Sequence, residues 1–183
     1  MIETVLKKLD QNLISLREEF YNKLQIGIEA SQIKELELKF EKQLPDDLKE
    51  LYLWKNGQPD NVYEAFVNNS MMIPLEQSLK IAQNLTAMIG KDFDRENWWN
   101  KAWIPLFHNG RGDYICYDME GTFTGQKGQI LKHYHDYEAR NVLAPNLEAF
   151  LNSLTTLYEK TPLDELDEFF EVSLEGYPKR FKV

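Results

Sequence analysis

At Trp103 the hydrophobic period of this chain changes, and that change limits the folds open to it. Before that point apolar residues recur three or four apart, the stripe of an amphipathic helix. The first stripe is Leu6, Leu9, Leu13, Leu16 and Phe20, interrupted after Gly27. Ser31 can cap a second helix carrying Ile33, Leu36 and Phe40. Pro45 suits the opening turn of a third, with Leu48, Leu51 and Tyr52 inward, and Asn56–Gly57 stops it. Residues 58–70 read as loop and SMMIPL (70–75) as a short strand. A fourth helix follows on Leu75, Leu79, Ala82, Leu85 and Ile89, ended by Gly90. From Trp103 on, AWIPLF, DYICYDM and GQILKHYH are short runs of Ile, Tyr, Phe and Trp separated by Gly and Asn turns. Consecutive strands with short links make an antiparallel sheet. Asn146 then caps a helix on Leu147, Phe150, Leu151, Leu154 and Leu157, and Thr161, Pro162 and Asp164 mark one more helix start. The expected fold is α+β, a mostly antiparallel sheet packed with helices. Residues 1–28 form an N-terminal helical extension and residues 29–183 a single domain.

The charge pattern narrows the function. Net charge is −9 over 183 residues. Such a chain is poorly made for nucleic acid, which is bound through Lys and Arg on phosphates. A basic protein partner suits it better. The segment 164–175 carries Asp164, Glu165, Asp167, Glu168, Glu171 and Glu175 with no basic residue. It reads either as the solvated face of a helix or as an acidic docking surface. Asp46 and Asp47 at the start of the third helix are a second acidic candidate, although acids there also suit the helix dipole. Cys116 is the single cysteine, so no intrachain disulfide is expected. Charges interrupt every apolar stretch near the start, and no run approaches the roughly 18 apolar residues of a membrane helix. The expectation is an intracellular, cytoplasmic protein with no membrane partner.

HNGRGDYICYDM (108–119) gathers His108, Arg111, Asp113, Cys116 and Asp118, residue types that can bind metal or do acid–base and thiol chemistry. His133 and His135 lie two apart, so on one strand they share a face, and with Asp113 or Asp118 they offer a metal-dependent hydrolase. No third ligand stands at a diagnostic spacing, and a lone mid-strand Cys116 is more simply a small buried hydrophobe. Asp113 and Asp118 are five apart, which places them on opposite faces of a regular strand. No metal, no cofactor and no catalytic set is expected, and the stretch reads as a hairpin.

Three blocks resemble the SUKH superfamily, in its branch named after the fungal regulator of cell-wall glucan synthesis. IKELELKFEKQLPDDLKELYLWKNGQ (33–58) is similar to that family's helix with Glu37, then Leu44–Pro45, then a helix ending in Asn56–Gly57. WIPLFHNGRGDYICYDM (103–119) is similar to its strand–turn–strand, with Trp103, Gly112, Asp113 and Asp118. GQKGQILKHYHDYEARNVLAPNLEAFL (125–151) resembles its glycine loop with Gly128, a strand ending in His135–Asp136, and the closing helix. The resemblance implies a non-enzymatic binding module. Many bacterial members look like immunity proteins against polymorphic toxins, often nucleases; fungal members are scaffolds of cell-wall signalling. The motif residues are expected to be architectural: Gly112 for a turn, Asp113 and Asp118 for backbone N–H groups, Trp103 for the core.

Overall fold

The computed structural model describes residues 1–165 and 170–183. Six strands form one antiparallel sheet whose spatial order is the chain order. They are β1 (Met71–Met72), β2 (Trp103–His108), β3 (Tyr114–Asp118), β4 (Gln129–His133), β5 (Ala139–Ala144) and β6 (Lys179–Lys182). Around it stand α1 (Ile2–Leu16), α2 (Glu18–Tyr21), α3 (Ala30–Lys39), α4 (Asp46–Trp54), α5 (Leu75–Thr86) and α6 (Leu147–Lys160). The architecture is α+β.

Both faces of the sheet are covered. On one, Ile104, Phe107, Ile115, Tyr117 and Ile130 meet the stripes of α1, α4 and α6. Ile104 and Phe107 are three apart and still share this face. A bulge between Pro105 and Phe107 inserts the extra residue that makes this possible, pairing Ile104 with Tyr117 and Phe107 with Ile115. On the other face Trp103, Cys116, Leu131 and Val142 pack with Ala82 and Trp99, and with the partly buried Phe93, Phe123, Tyr177 and Phe181. Trp103 is fully buried here. The tryptophan-bearing loop before β2 and the C-terminal segment do the work that a second helical layer would otherwise do.

The helix of residues 2–16 is part of the main core. Leu9 and Leu13 are fully buried, in one cluster with Phe150, Leu151, Leu154 and Tyr158 of α6. Arg17 fastens its end, donating to the Ala65 carbonyl (2.9 Å) and the Tyr158 hydroxyl (3.0 Å).

Several local expectations change. α3 begins two residues earlier than a Ser31 cap would set it: Glu29 is the N-cap, and its N–H donates to Gln32 Oε1 at 2.9 Å. Asn146 does cap α6, accepting from the Ala149 N–H at 2.8 Å. After Thr161 the chain makes a 3₁₀ turn, Leu163–Glu165, and the continuation of the helix expected there falls on residues 166–169, outside the described residues. Phe170 stands outside any helix or strand. Its carbonyl accepts from Asn68 N–H at 2.9 Å, and its ring packs on Tyr158. Glu171 and Glu175 therefore stand on irregular chain. Strands β5 and β6 appear where no strand was expected.

Candidate functional site

The β2–β3 hairpin holds its polar residues in a closed set of bonds. Asn109 Oδ1 accepts from the N–H groups of Arg111 (2.8 Å) and Asp113 (3.1 Å), and Asn109 Nδ2 donates to Asp113 Oδ2 (2.9 Å). Gly110 N–H donates to His108 Nδ1 at 3.2 Å. Gly112 turns with φ +98°, where a Cβ would come within 3.1 Å of His135 Cβ. Asp113 reaches the next hairpin: its Oδ1 accepts from His135 N–H (3.0 Å) and meets His135 Nδ1 (2.7 Å). Burial alone would raise the Asp113 carboxyl; the His135 bonds and Lys132 outweigh it and hold the group below its ordinary value. His135 is raised in return by its bond to Asp113.

The two histidines weighed as metal ligands do not converge. β4 ends at His133, whose ring is buried among Trp99, Trp103 and Tyr114. His135 lies past the strand, half exposed. The expectation of a common face fails because the regular strand stops between them. Asp113, His135 and Asp136 do bring ligand atoms within 4.8 Å of one another. That group is an exposed turn whose Asp113 oxygens are already bonded.

Asp118 closes the other end of β3. It is fully buried, and its Oδ1 accepts from Glu120 (3.1 Å) and Gly121 (3.0 Å) N–H groups. Its Oδ2 accepts from Thr122 N–H (2.6 Å) and Gln129 Nε2 (2.8 Å). Thr122 Oγ1 in turn accepts from Trp103 Nε1 at 3.0 Å. Asp113 lies before β3, so the odd spacing of the two aspartates has no bearing on their faces. Gly128 has φ +82°, and a Cβ there would meet the Tyr117 hydroxyl at 2.9 Å. That hydroxyl donates to Asp47 Oδ1 at 3.0 Å. Cys116 is fully buried, and its thiol is pushed well up by burial first.

The first block is stitched in the same way. Glu37 Oε1 accepts from Leu44 N–H (2.7 Å) and pairs with Lys49 (3.1 Å), just before Pro45. Asn56 Oδ1 accepts from Leu75 N–H at 3.0 Å, tying the exit of α4 to the start of α5. Gly57 (φ +78°) lies so close to that start that a Cβ would stand 2.6 Å from Pro74 N.

The acidic candidates are placed apart. Asp46 is fully exposed at the start of α4. Asp47 is half-buried and bonded to Tyr117 and to Leu48 N–H. Asp164 and Glu165 are exposed on the turn after α6; Asp167 and Glu168 lie outside the described residues. α6 starts beside the end of β5, which pairs with the start of β4, near Asp47 and Tyr117. Its 14 residues then carry the chain about 21 Å away before Asp164. The two acidic groups occupy opposite ends of the helical layer.

Sequence reasoning missed Arg140. Its guanidinium is fully buried, donating to the carbonyls of Tyr137 (2.9 Å), Ala139 (2.7 Å) and Trp98 (2.5 Å) beneath the Trp98 and Trp103 rings. Among the described residues no carboxylate pairs with it, and burial pulls it down to about 10. Nothing in ARNVLA marks such a role. It depends on a tryptophan loop some forty positions earlier.

The family model described as SMI1 / KNR4 family (SUKH-1) matches residues 27–153. The chain belongs to this family. The matched range takes in all three motif blocks of the SUKH-1 domain and leaves out α1 and the acidic C-terminal segment. No curated protein matches the chain. SUKH domains are generally non-catalytic binding modules. Among the described residues no helix is long and apolar enough to cross a membrane.

Proposed function

We propose that this SUKH-1 chain is a cytoplasmic immunity protein, a binder that neutralises a basic toxin domain without catalysis of its own. The observation that carries the reading is the division of its polar residues. Those that could do chemistry (Asp113, Asp118, Glu37, Asn56) are spent on backbone N–H groups and turns, while the balance of charge is acidic and exposed acids remain at the surface. Asp164 and Glu165 stand exposed on a turn, and Asp46 is fully exposed at the far end of the helical layer. With a net charge of −9, such groups attract a basic partner over distance and speed its capture.

The experiment is a pull-down with mass spectrometry, followed by association kinetics with the captured partner. Reversing Asp164, Glu165, Asp167 and Glu168 to Lys leaves the melting temperature unchanged, slows association about tenfold or more, and flattens its salt dependence. An association rate indifferent to salt and to these substitutions would remove the acidic surface from the reading. Capture of a cell-wall synthesis component in place of a toxin would replace immunity by a scaffolding role.

A further inference from the structure

Between the end of α3, the outer turns of α5 and the ends of β2 and β3 lies a well of about 400 Å³. Its floor is apolar: Phe40, Leu79, Ala82, Ala102 and Met119. Ala82 lies in its wall between Phe40 and Met119. The well opens to solvent, and its volume falls in the range of small-molecule sites.

The rim carries an ammonium with no acid to hold. Lys42 is half-buried, and its Nζ donates to the Lys101 carbonyl at 2.7 Å. Among the described residues no carboxylate forms an ion pair with it. Glu120, exposed on the same rim, acts on it only at longer range. Burial pulls the Lys42 ammonium below its ordinary value, and the neighbouring Lys101 charge adds to that. Two further N–H donors of Lys42 are left for another acceptor. This cationic rim over an apolar floor is local, in a chain whose net charge is −9.

We propose that the well is a small-molecule site for an amphipathic carboxylate, with an aliphatic chain on Leu79, Ala82 and Met119 and its carboxylate on Lys42. The chain removes apolar surface from water, and the headgroup supplies the charge-assisted bonds that Lys42 lacks. Lys42 and Lys101 against Glu120 leave one net positive charge at the rim, which favours a monoanion over a dianion. This inference stands apart from the protein-binding reading, since the well shares no residue with the acidic candidates.

The test uses the full chain with octanoate as probe, and octanol and octylammonium as controls of equal chain length. Methyl NMR shifts at Leu79, Ala82 and Met119 report occupancy. Octanoate saturates one site with shifts confined to those methyls. Octanol binds about tenfold more weakly, the low end of the effect of one charge-assisted bond, and octylammonium more weakly still. Lys42→Met keeps the aliphatic stem and abolishes the preference for octanoate over octanol. Ala82→Phe fills the well and abolishes binding of all three. Should that variant melt early, Gln83→Trp on the exposed rim replaces it. Octanoate that fails to saturate, octanol that binds equally, or octanoate affinity that survives Lys42→Met or a filled well overturns the proposal.

Discussion

His133 and Arg140 face each other across β4 and β5, both are buried, and among the described residues no carboxylate forms an ion pair with either. Burial first, then the Arg140 charge, pulls the His133 pKa from 6.5 to about 3, although the Trp98 and Gly112 carbonyls and Asp113 pull the other way. Neither ring nitrogen has a hydrogen-bond partner among the described residues. The imidazole is therefore neutral in the folded chain. In the unfolded chain it takes a proton below about pH 6.5, so the folded state binds fewer protons there. Its contribution is fully present above that value and is lost as pH falls towards the folded pKa. Between about pH 7 and pH 4.5 this amounts to roughly 2–3 kcal/mol. The expected outcome is that His133→Phe loses less stability than the wild type over that interval in urea titrations. Carboxylates contribute equally to both proteins, so parallel pH slopes would show that His133 is charged or wetted in the fold. The same residue shows where sequence reading runs out. HxH spacing made His133 a ligand candidate, but strand length decided its face, and spacing says nothing of where a strand stops.

The helices were legible because each carries its apolar stripe in its own sequence. Leu9 and Leu13 on α1, and Phe150, Leu151 and Leu154 on α6, announce a buried face at helical spacing, and Asn146 announces its cap. β2, β3 and β4 were legible for the same reason. β6 (KRFK) has no apolar alternation; it is a strand only because β5 offers it an open ladder. Glu171 and Glu175 read as the far end of an acidic helix, but Phe170 packs on Tyr158 and its carbonyl accepts from Asn68, and around it tertiary contact overrides local preference. Of the candidate site, Asp118 and Gly128 could be named from the motif, whereas the Lys42 well could not, because it joins residues of three elements. α1 provides the prediction at this scale. Leu9 is fully buried against α6, so Leu9→Ala costs about 2–5 kcal/mol. Chemical denaturation measures it. A cost near zero, with the rest of the fold intact, would mean that α1 is an appendage and not part of the core.

Across the whole molecule the sheet runs in chain order, from a first strand of two residues to a last strand of four. Those two are its edges, and an open edge invites another chain. β1 is too short to template one. β6 carries Lys179, Arg180 and Lys182, whose like charges repel a second copy of the same strand. Replacing these three by Thr keeps strand preference and removes the repulsion. The triple variant is expected to fold and to self-associate with rising concentration in sedimentation, where the wild type associates less. Equal behaviour of the two would show that charge does not guard this edge. The chain-order sheet also sets a timetable. Each strand finds its neighbour in the segment made just before it, so the sheet can assemble as the chain is synthesised. α1 is the exception. Its stripe of Val5, Leu6, Leu9 and Leu13 packs on α6, which begins only at Leu147. At roughly 5–20 residues per second, that partner arrives about 7–28 s after α1 has been made. For that interval the side of α1 that will face α6 stays open, and a holding chaperone has its best purchase there.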